Sequence, residues 1–373
     1  MRDIKNDLEF DRYRPFEALS ILKRSAGYFI EDRAWVSYND DATVSSSIEF
    51  TNSGEVTRVI ADWGRAAVAE MRTTLKVALE ETGVRRARWQ LLSQGNITGS
   101  WSAPKFALFP LDDQPSSAEP LSVDQRYPVW LEVEFDDVAD TSVSSDRSAA
   151  ALRKYELLLQ SLCIGLHRQP DPTHRSWETA DHFPRQDWSP IARIDDVEYY
   201  NHPGGSVFAL PNSIDEAISR WDALSPEYQS KFLRAGHWLR VATEQRGYSP
   251  SLSLISATQA IEALLQEIRP ESCECCQQPI FSITKRFKEF LIDQAPTTDG
   301  TPTRFHKTIY GTRSTLAHGA QLFQRDSFDD LEAFPSKQAR EMIDGINALF
   351  VTRIALRNWL HGEDGRKVTV QVR

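Results

Sequence analysis

The second half of the sequence contains a series of helix start and stop signals. Ser225 and Ser249 each stand directly before a proline, which is the arrangement of an N-cap residue followed by a first-turn proline. Further along, Gly319 follows apolar residues at helical spacing and predicts a helix C-terminus. Because the helices between these signals have short connections, residues 211–373 are predicted to form an antiparallel all-α bundle.

Five or six helices are predicted in this bundle. The first begins where Ser213 and Glu216 have the spacing of a capping box. The others are predicted over 225–247, from 249 to just before Pro270, around 283–291, up to Gly319, and from about 336 to 360. The last helix is predicted to turn six apolar side chains inward, namely Met342, Ile343, Ile346, Leu349, Phe350 and Ile354.

The pattern in residues 1–210 is mixed. Val59, Trp63 and Val68 belong to a helical repeat that predicts one long helix over 54–82. Residues 128–135 alternate as a strand does, residues 147–165 read as a helix, and residues 191–211 read as a hairpin around a His-Pro-Gly-Gly turn. The sequence therefore predicts an α+β protein, with an N-terminal mixed region over 1–210 and a helical domain over 211–373.

The net charge of −10 is unevenly distributed. Residues 201–373 contain 20 basic and 20 acidic side chains, so the whole acidic excess lies in residues 1–200. A protein that coats nucleic acid would be basic, which leaves only local contact with nucleic acid as an interpretation. One local basic cluster exists, in Lys285, Arg286, Lys288, Arg304, Lys307 and Arg313, and it has the alternative interpretation of a solvated helix face.

The location of the protein is predicted from what the sequence lacks. Its first residues have no apolar core of the signal-peptide kind, and no run approaches the roughly 18 apolar residues of a membrane span. Three of the four cysteines are crowded together, whereas a secreted disulfide framework would spread them along the chain. We therefore expect a cytoplasmic protein without a membrane partner.

The segment with candidate catalytic residues runs from Tyr310 to Gly319 and contains Arg313 and His318. Arginine binds phosphate oxygens as a rigid fork, and histidine exchanges protons near neutral pH. Together they suit cleavage of an RNA backbone. The alternative is an arginine that caps or salt-bridges a neighbouring helix and a histidine that satisfies a C-terminal carbonyl. Five residues along an ideal helix correspond to about 500°, so the two side chains lie roughly 140° apart. Either the helix breaks near Gly319, or a second subunit completes the site.

Two segments of the sequence resemble the Apea-like group of HEPN domains. Residues 256–265, S-A-T-Q-A-I-E-A-L-L, are similar to the "aiEaLl" helix of that group, and residues 309–319, I-Y-G-T-R-S-T-L-A-H-G, are similar to its Y-x-x-R-S-x-x-x-H-G signature. The resemblance covers about residues 215–362. It implies a HEPN-like bundle in which Arg313 and His318 occupy the two motif positions, with Tyr310 and Ser314 beside them.

Many HEPN domains are metal-independent endoribonucleases of bacterial toxin–antitoxin, abortive-infection or antiphage systems, and they usually dimerise with both motifs facing one cleft. The resemblance therefore implies a homodimer that cuts RNA, such as a transfer or messenger RNA, with no cofactor in catalysis and with a partner protein of a defence system. Ser314 departs from the Asn, Asp or His that often follows the arginine. A non-catalytic dimerisation module, or one that binds RNA or nucleotides without cutting, is the alternative.

Glu262 has two interpretations. The family pattern favours a buried acid that orients Arg313, because a buried carboxylate needs a partner. The alternative is a glutamate on the polar side of its helix.

A second motif contains Cys273, Cys275 and Cys276. Cys273 and Cys276 have the C-x-x-C spacing of a zinc knuckle, although Gln277 replaces the usual glycine. A tetrahedral structural zinc site needs further ligands, for which Cys275, His306 or a second subunit are candidates. A redox-sensitive thiol cluster and plain loop cysteines are the other interpretations.

Overall fold

A computed structural model of the chain describes most of its C-terminal two thirds and isolated strands of the N-terminal part. The described residues are 2–3, 27–30, 34–38, 44–50, 56–61, 83–111, 126–137, 141–168, 177–180, 187–201, 206–265, 271–272, 279–280, 283–300, 303–327, 335–362 and 367–370. They contain both helices and antiparallel sheets, so the predicted mixture of helix and strand is confirmed. None of the helices described has the length and apolar character that would let it cross a bilayer.

The chain divides into two compact units. The first comprises Met1–Ala87, Glu134–Ala151 and Thr179–Phe183, and the second comprises Arg88–Val133, Leu152–Glu178 and Pro184–Arg373. The predicted boundary near residue 210 does not coincide with this division. Within the second unit, the Tyr200 hydroxyl donates to the Leu162 carbonyl at 2.9 Å and Trp101 Nε1 donates to Asp215 at 2.8 Å. The helices after residue 211 therefore share their unit with earlier parts of the chain.

The first unit contains a five-stranded antiparallel sheet. Its strands are β1 (Arg2–Asp3), β2 (Gly27–Ile30), β3 (Ala34–Tyr38), β4 (Val44–Phe50) and β5 (Val56–Ala61), in the order β1-β5-β4-β3-β2. The helix predicted over 54–82 is wrong for residues 56–61, where Val59 lies opposite Ile48 of β4. The run Val-Thr-Arg-Val-Ile is rich in β-branched residues, which pack well on a sheet. Residues 62–82 lie outside the described residues.

A second sheet has six strands. They are β6 (Gly83–Ser93), β7 (Trp101–Ala103), β8 (Phe106–Pro110), β9 (Tyr127–Asp137), β10 (Leu166–Arg168) and β11 (Trp177–Ala180), in the order β10-β6-β9-β8-β7 with β11 also on β6. The predicted strand over 128–135 is confirmed in β9. Its alternation is incomplete, because Trp130 and Glu132 are buried as well as Val129 and Leu131. Both faces of β9 are therefore covered.

Eight α-helices lie in the described residues. They are α1 (Thr141–Leu162), α2 (Asp196–Asn201), α3 (Ile214–Ala223), α4 (Pro226–Gln245), α5 (Pro250–Leu264), α6 (Ile283–Gln294), α7 (Arg304–Ala317) and α8 (Pro335–His361). The helix α8 packs against each helix from α2 to α7, and α5 packs against α4, α7 and α8. The predicted helix over 147–165 corresponds to α1, and Cys163 just after it is buried in the core.

The helix starts after residue 211 agree only in part with the predicted caps. The hydroxyl of Ser249 accepts the backbone N–H of Leu252 at 3.2 Å, so this N-cap is confirmed. Ser225 stands at the N-cap of α4 without a side-chain bond. The capping box at Ser213 is wrong, because the Ser213 hydroxyl makes no cap bond and Glu216 instead accepts from Arg220 at 2.8 Å.

The hairpin predicted over 191–211 is wrong. Residues 196–201 form α2, and the short strands β12 (Arg193–Ile194) and β13 (Leu210–Pro211) pair in parallel. The Asp195 carboxylate accepts the backbone N–H of Val197 at 2.9 Å. A carboxylate at this position satisfies first-turn N–H groups and favours a helix start. The predicted turn residues 202–205 lie outside the described residues.

The inward face of α8 differs from the prediction at its start. Leu349 and Ile354 are buried as predicted, but Met342 and Ile343 are exposed, the former by 58%. The buried residue in this turn is Glu341, whose carboxylate accepts the backbone N–H of Gln324 at 2.7 Å. Because of this contact, the polar side of the first turns of α8 faces the protein interior, and the side chains of Met342 and Ile343 face solvent.

Candidate functional site

The helix α7 that carries Arg313 and His318 is capped at both ends. Thr303 Oγ1 accepts the backbone N–H of His306 at the N-terminus. At the other end the N–H of Gly319 bonds to Leu316 O and that of Ala320 to Thr315 O, both at 3.1 Å, which is the Schellman arrangement. Gly319 has φ of +70°, a conformation that glycine adopts without steric cost. The predicted helix end at Gly319 is confirmed.

Glu262 of α5 forms an ion pair with Arg313. Arg313 Nη2 donates to Glu262 Oε2 at 2.8 Å, and the two side chains are 19% and 21% exposed. Burial raises the pKa of the Glu262 carboxyl above its usual value, and Arg313 opposes this rise. The favoured interpretation of Glu262, a carboxylate in contact with Arg313, agrees with this geometry.

An aromatic ring supports Arg313 on another side. The guanidinium carbon lies 5.7 Å from the centre of the Tyr310 ring, one turn earlier on α7. Tyr310 in turn packs against Phe287 of α6, with ring centres 5.0 Å apart. Phe287 is fully buried, so the arginine rests on a platform anchored in the core. The sequence marks Phe287 only as a core residue, and it contains no signal for this supporting contact.

Arg313 keeps hydrogen-bond donors that the described residues do not use. Its Nε is buried without an acceptor, and the described contacts of its guanidinium involve Nη2 alone. Unpaired donors on a fixed cation are what an oxyanion such as phosphate would occupy. The site is therefore a held guanidinium with remaining capacity to bind an anion.

His318 lies on another side of α7. It forms the C-cap, it is exposed, and its backbone N–H bonds to Ser314 O at 3.1 Å. Arg313 by contrast points toward α5. An offset of roughly 140° for five helical residues accounts for this divergence. Within one chain the two side chains are thus turned apart, and Ser314 lies between them in the sequence with its side chain half-buried.

The predicted zinc ligands fall into two groups. Cys273, Cys275 and Cys276 lie outside the described residues, between β14 (Glu271–Ser272) and β15 (Pro279–Ile280), which pair antiparallel. His306 is buried, with Nδ1 2.6 Å from Thr303 Oγ1 and Nε2 2.9 Å from Ala295 O. Both ring nitrogens are therefore engaged, which argues against His306 as a ligand. Among the described residues no three His, Cys, Asp or Glu side chains cluster as metal ligands would.

The contacts of His306 predict a pH-dependent stability. Burial lowers the pKa of His306 below its usual value, and the bond to Ala295 O opposes this. As the pH falls, the unfolded chain therefore takes up the proton first. The stability that the neutral ring contributes is present above pH about 6.5 and is lost as the pH falls below it.

We expect His306→Ala to lower the free energy of unfolding by about 1–3 kcal/mol at pH 8, because it leaves the Ala295 carbonyl without its donor. The difference in unfolding free energy between the variant and the wild type should be smaller at pH 5. Urea unfolding of both proteins at the two pH values measures it. Burial lowers the pKa values of His167 and His361 to about 4. Both residues titrate in both proteins, so their contributions cancel in the difference between the two unfolding free energies. A difference that stays constant with pH would contradict the proposed role of the ring.

The comparisons with known proteins identify no relative. No family model matches the chain, and neither a curated protein nor a solved structure is significantly similar to it.

Proposed function

We propose that this chain is a metal-independent endoribonuclease with a HEPN-like helical domain, built around Arg313 and His318. The observation that supports it is the state of Arg313, which Glu262 and Tyr310 hold in place while some of its N–H donors have no acceptor among the described residues. A preorganised cation that can still bind an oxyanion is suited to stabilise the charge that develops on a phosphate.

The chemistry assigns each residue one role. His318 accepts the proton of a ribose 2′-OH, and the 2′-oxygen attacks the adjacent phosphorus. The bond to the 5′-oxygen then breaks, and this oxygen takes up a proton from water, while His318 later returns its proton to solvent. Arg313 binds the non-bridging oxygens, on which negative charge increases during the attack. The products are a 2′,3′-cyclic phosphate and a 5′-hydroxyl end.

The proposal includes a second copy of the chain. Arg313 and His318 of one chain are turned apart on α7, so one phosphate is better reached by Arg313 of one subunit and His318 of the other. The exposed position of His318 at the helix end suits such an arrangement. In the cell we propose an effector of a bacterial antiphage, abortive-infection or toxin-type system, with the N-terminal region as its sensor or regulator.

The first test is an RNA-cleavage assay with EDTA present. The purified full-length protein is incubated with structured and unstructured RNA, and the ends of the products are analysed. We expect cleavage that EDTA does not inhibit and products that carry cyclic phosphate. Intact RNA, or cleavage that needs added metal, would overturn the proposal.

The same geometry favours a second candidate, a non-catalytic module that binds RNA. Arg313 is already paired with Glu262, and the spacing of five helical residues turns His318 away from it. RNA that binds and stays uncut in the assay, with binding lost in Arg313→Ala, would support this candidate.

A further inference from the structure

Arg353 of α8 forms no ion pair with any of the described residues of the second unit. Protein surrounds most of its side chain, and part of the residue stays exposed to solvent. Its Nε is buried without an acceptor. The groups that act on it electrostatically are the side chains of Tyr199, Tyr200 and Cys163, and none of them is a carboxylate.

Two other groups that interact electrostatically with Arg353 also have unused hydrogen-bond capacity. The Tyr199 hydroxyl accepts the backbone N–H of Ile164 at 2.7 Å, which leaves its own proton free to donate. His167 Nε2 is buried and has no partner among the described residues. Burial, together with the charges of Arg126 and Arg353, lowers the pKa of His167 to about 4. The ring is therefore neutral and can offer one N–H.

The surroundings of these groups are positive. The charges of Arg126 and Arg353 act on His167, and those of Arg193 and Arg353 act on the Cys163 thiol. Arg193 is neutralised by Asp215 at 2.8 Å, whereas no described carboxylate pairs with Arg353. An unpaired charge removed from water is costly, and proteins normally pair such charges.

We propose that Arg353, Tyr199 and His167 bind a small oxyanion, a phosphate or a carboxylate group. The guanidinium fork matches two oxygens of such a group, and the tyrosine hydroxyl and imidazole N–H can donate to the others. The anion would neutralise Arg353 and link α8 to α2 and β10. The sequence signal for this site is Arg353 itself, which interrupts the apolar run Val351–Leu356 of a buried helix.

The test is thermal unfolding of the full-length protein at constant ionic strength. We expect inorganic phosphate at tens of millimolar to raise Tm by about 2–4 °C relative to chloride. Acetate in a parallel arm distinguishes a phosphate site from a carboxylate site. A rise with phosphate alone assigns a phosphate site, and a rise with acetate alone assigns a carboxylate site.

Two variants and one control separate binding from general salt effects. In Arg353→Met the anion-specific rise should vanish, and without ligand the variant should be at least as stable as the wild type, because an unpaired buried charge is removed. Arg353→Lys keeps the charge but not the fork, and it should lose most of the rise. The exposed control Arg234→Met should respond as the wild type does. Equal responses in all four proteins, or no response in the wild type, would overturn the proposal.

Discussion

Replacing His318 with alanine is expected to lower the RNA-cleavage rate by about 10²–10⁴-fold, because the variant lacks the group that moves the ribose proton. The side chain is exposed at the end of α7 and is absent from the core. Its removal should therefore leave the thermal stability nearly unchanged. Single-turnover cleavage of a labelled RNA in EDTA measures the rate.

Arg313→Ala should lower the RNA-cleavage rate by about 10²–10³-fold in the same assay, because it removes hydrogen-bond donors to the phosphate. Glu262→Gln retains an oxygen that accepts from Arg313, so we expect it to keep more activity than Glu262→Leu. This order would identify Glu262 as a positioning residue that acts through Arg313.

Matched controls on α4 test whether these losses are specific. His237 and Arg234 are exposed, and their alanine variants should cleave RNA at wild-type rates. If His318→Ala and Arg313→Ala also cleave at wild-type rates, the nuclease activity does not depend on this motif and the assignment fails.

Mixing the two inactive variants tests whether the site is shared between subunits. In a mixed dimer of Arg313→Ala and His318→Ala, one of the two composite sites retains both residues. Random exchange of subunits should therefore restore about a quarter of the wild-type activity. No recovery, despite exchange shown by differently tagged chains, would mean that each site is formed within one chain.

The sequence predicted local features of the site better than its contacts. The start of α5 at Ser249 and the end of α7 at Gly319 depend on bonds within a few residues, so composition at these positions determines them. The pair of Glu262 and Arg313 joins residues 51 positions apart. Its prediction needed the family pattern, because spacing alone does not indicate which helices meet.

Two of the wrong predictions have a related physical cause. Ser213 and Glu216 have capping-box spacing, but Glu216 accepts from Arg220 one turn later on α3 and lies 3.4 Å from Nδ1 of the buried His361 of α8. Met342 and Ile343 fit an apolar stripe, but the contact between Glu341 and Gln324 sets the rotation of α8. In both cases the carboxylate has another partner, which overrides a local preference of about 1 kcal/mol.

A larger tertiary effect is expected at Asp196, which accepts from Arg357 Nη2 at 2.6 Å and from the backbone N–H of Ser213 at 3.0 Å. The two side chains are 14% and 4% exposed. Asp196→Ala is expected to lower the free energy of unfolding by about 3–5 kcal/mol, because it leaves a buried guanidinium without this carboxylate. Urea unfolding monitored by tryptophan fluorescence measures the change.

The double variant Asp196→Ala/Arg357→Met should recover part of this loss, since it removes the stranded charge along with its partner. Glu244→Ala, which breaks the exposed pair between Arg240 and Glu244, is the control and should cost less than about 1 kcal/mol. Asp196 precedes the boundary predicted near residue 210, and Arg357 lies in the last helix. A large loss at Asp196 would show that residues before 210 are needed for the stability of the helical domain, and a loss as small as that of Glu244→Ala would agree with the boundary predicted near residue 210.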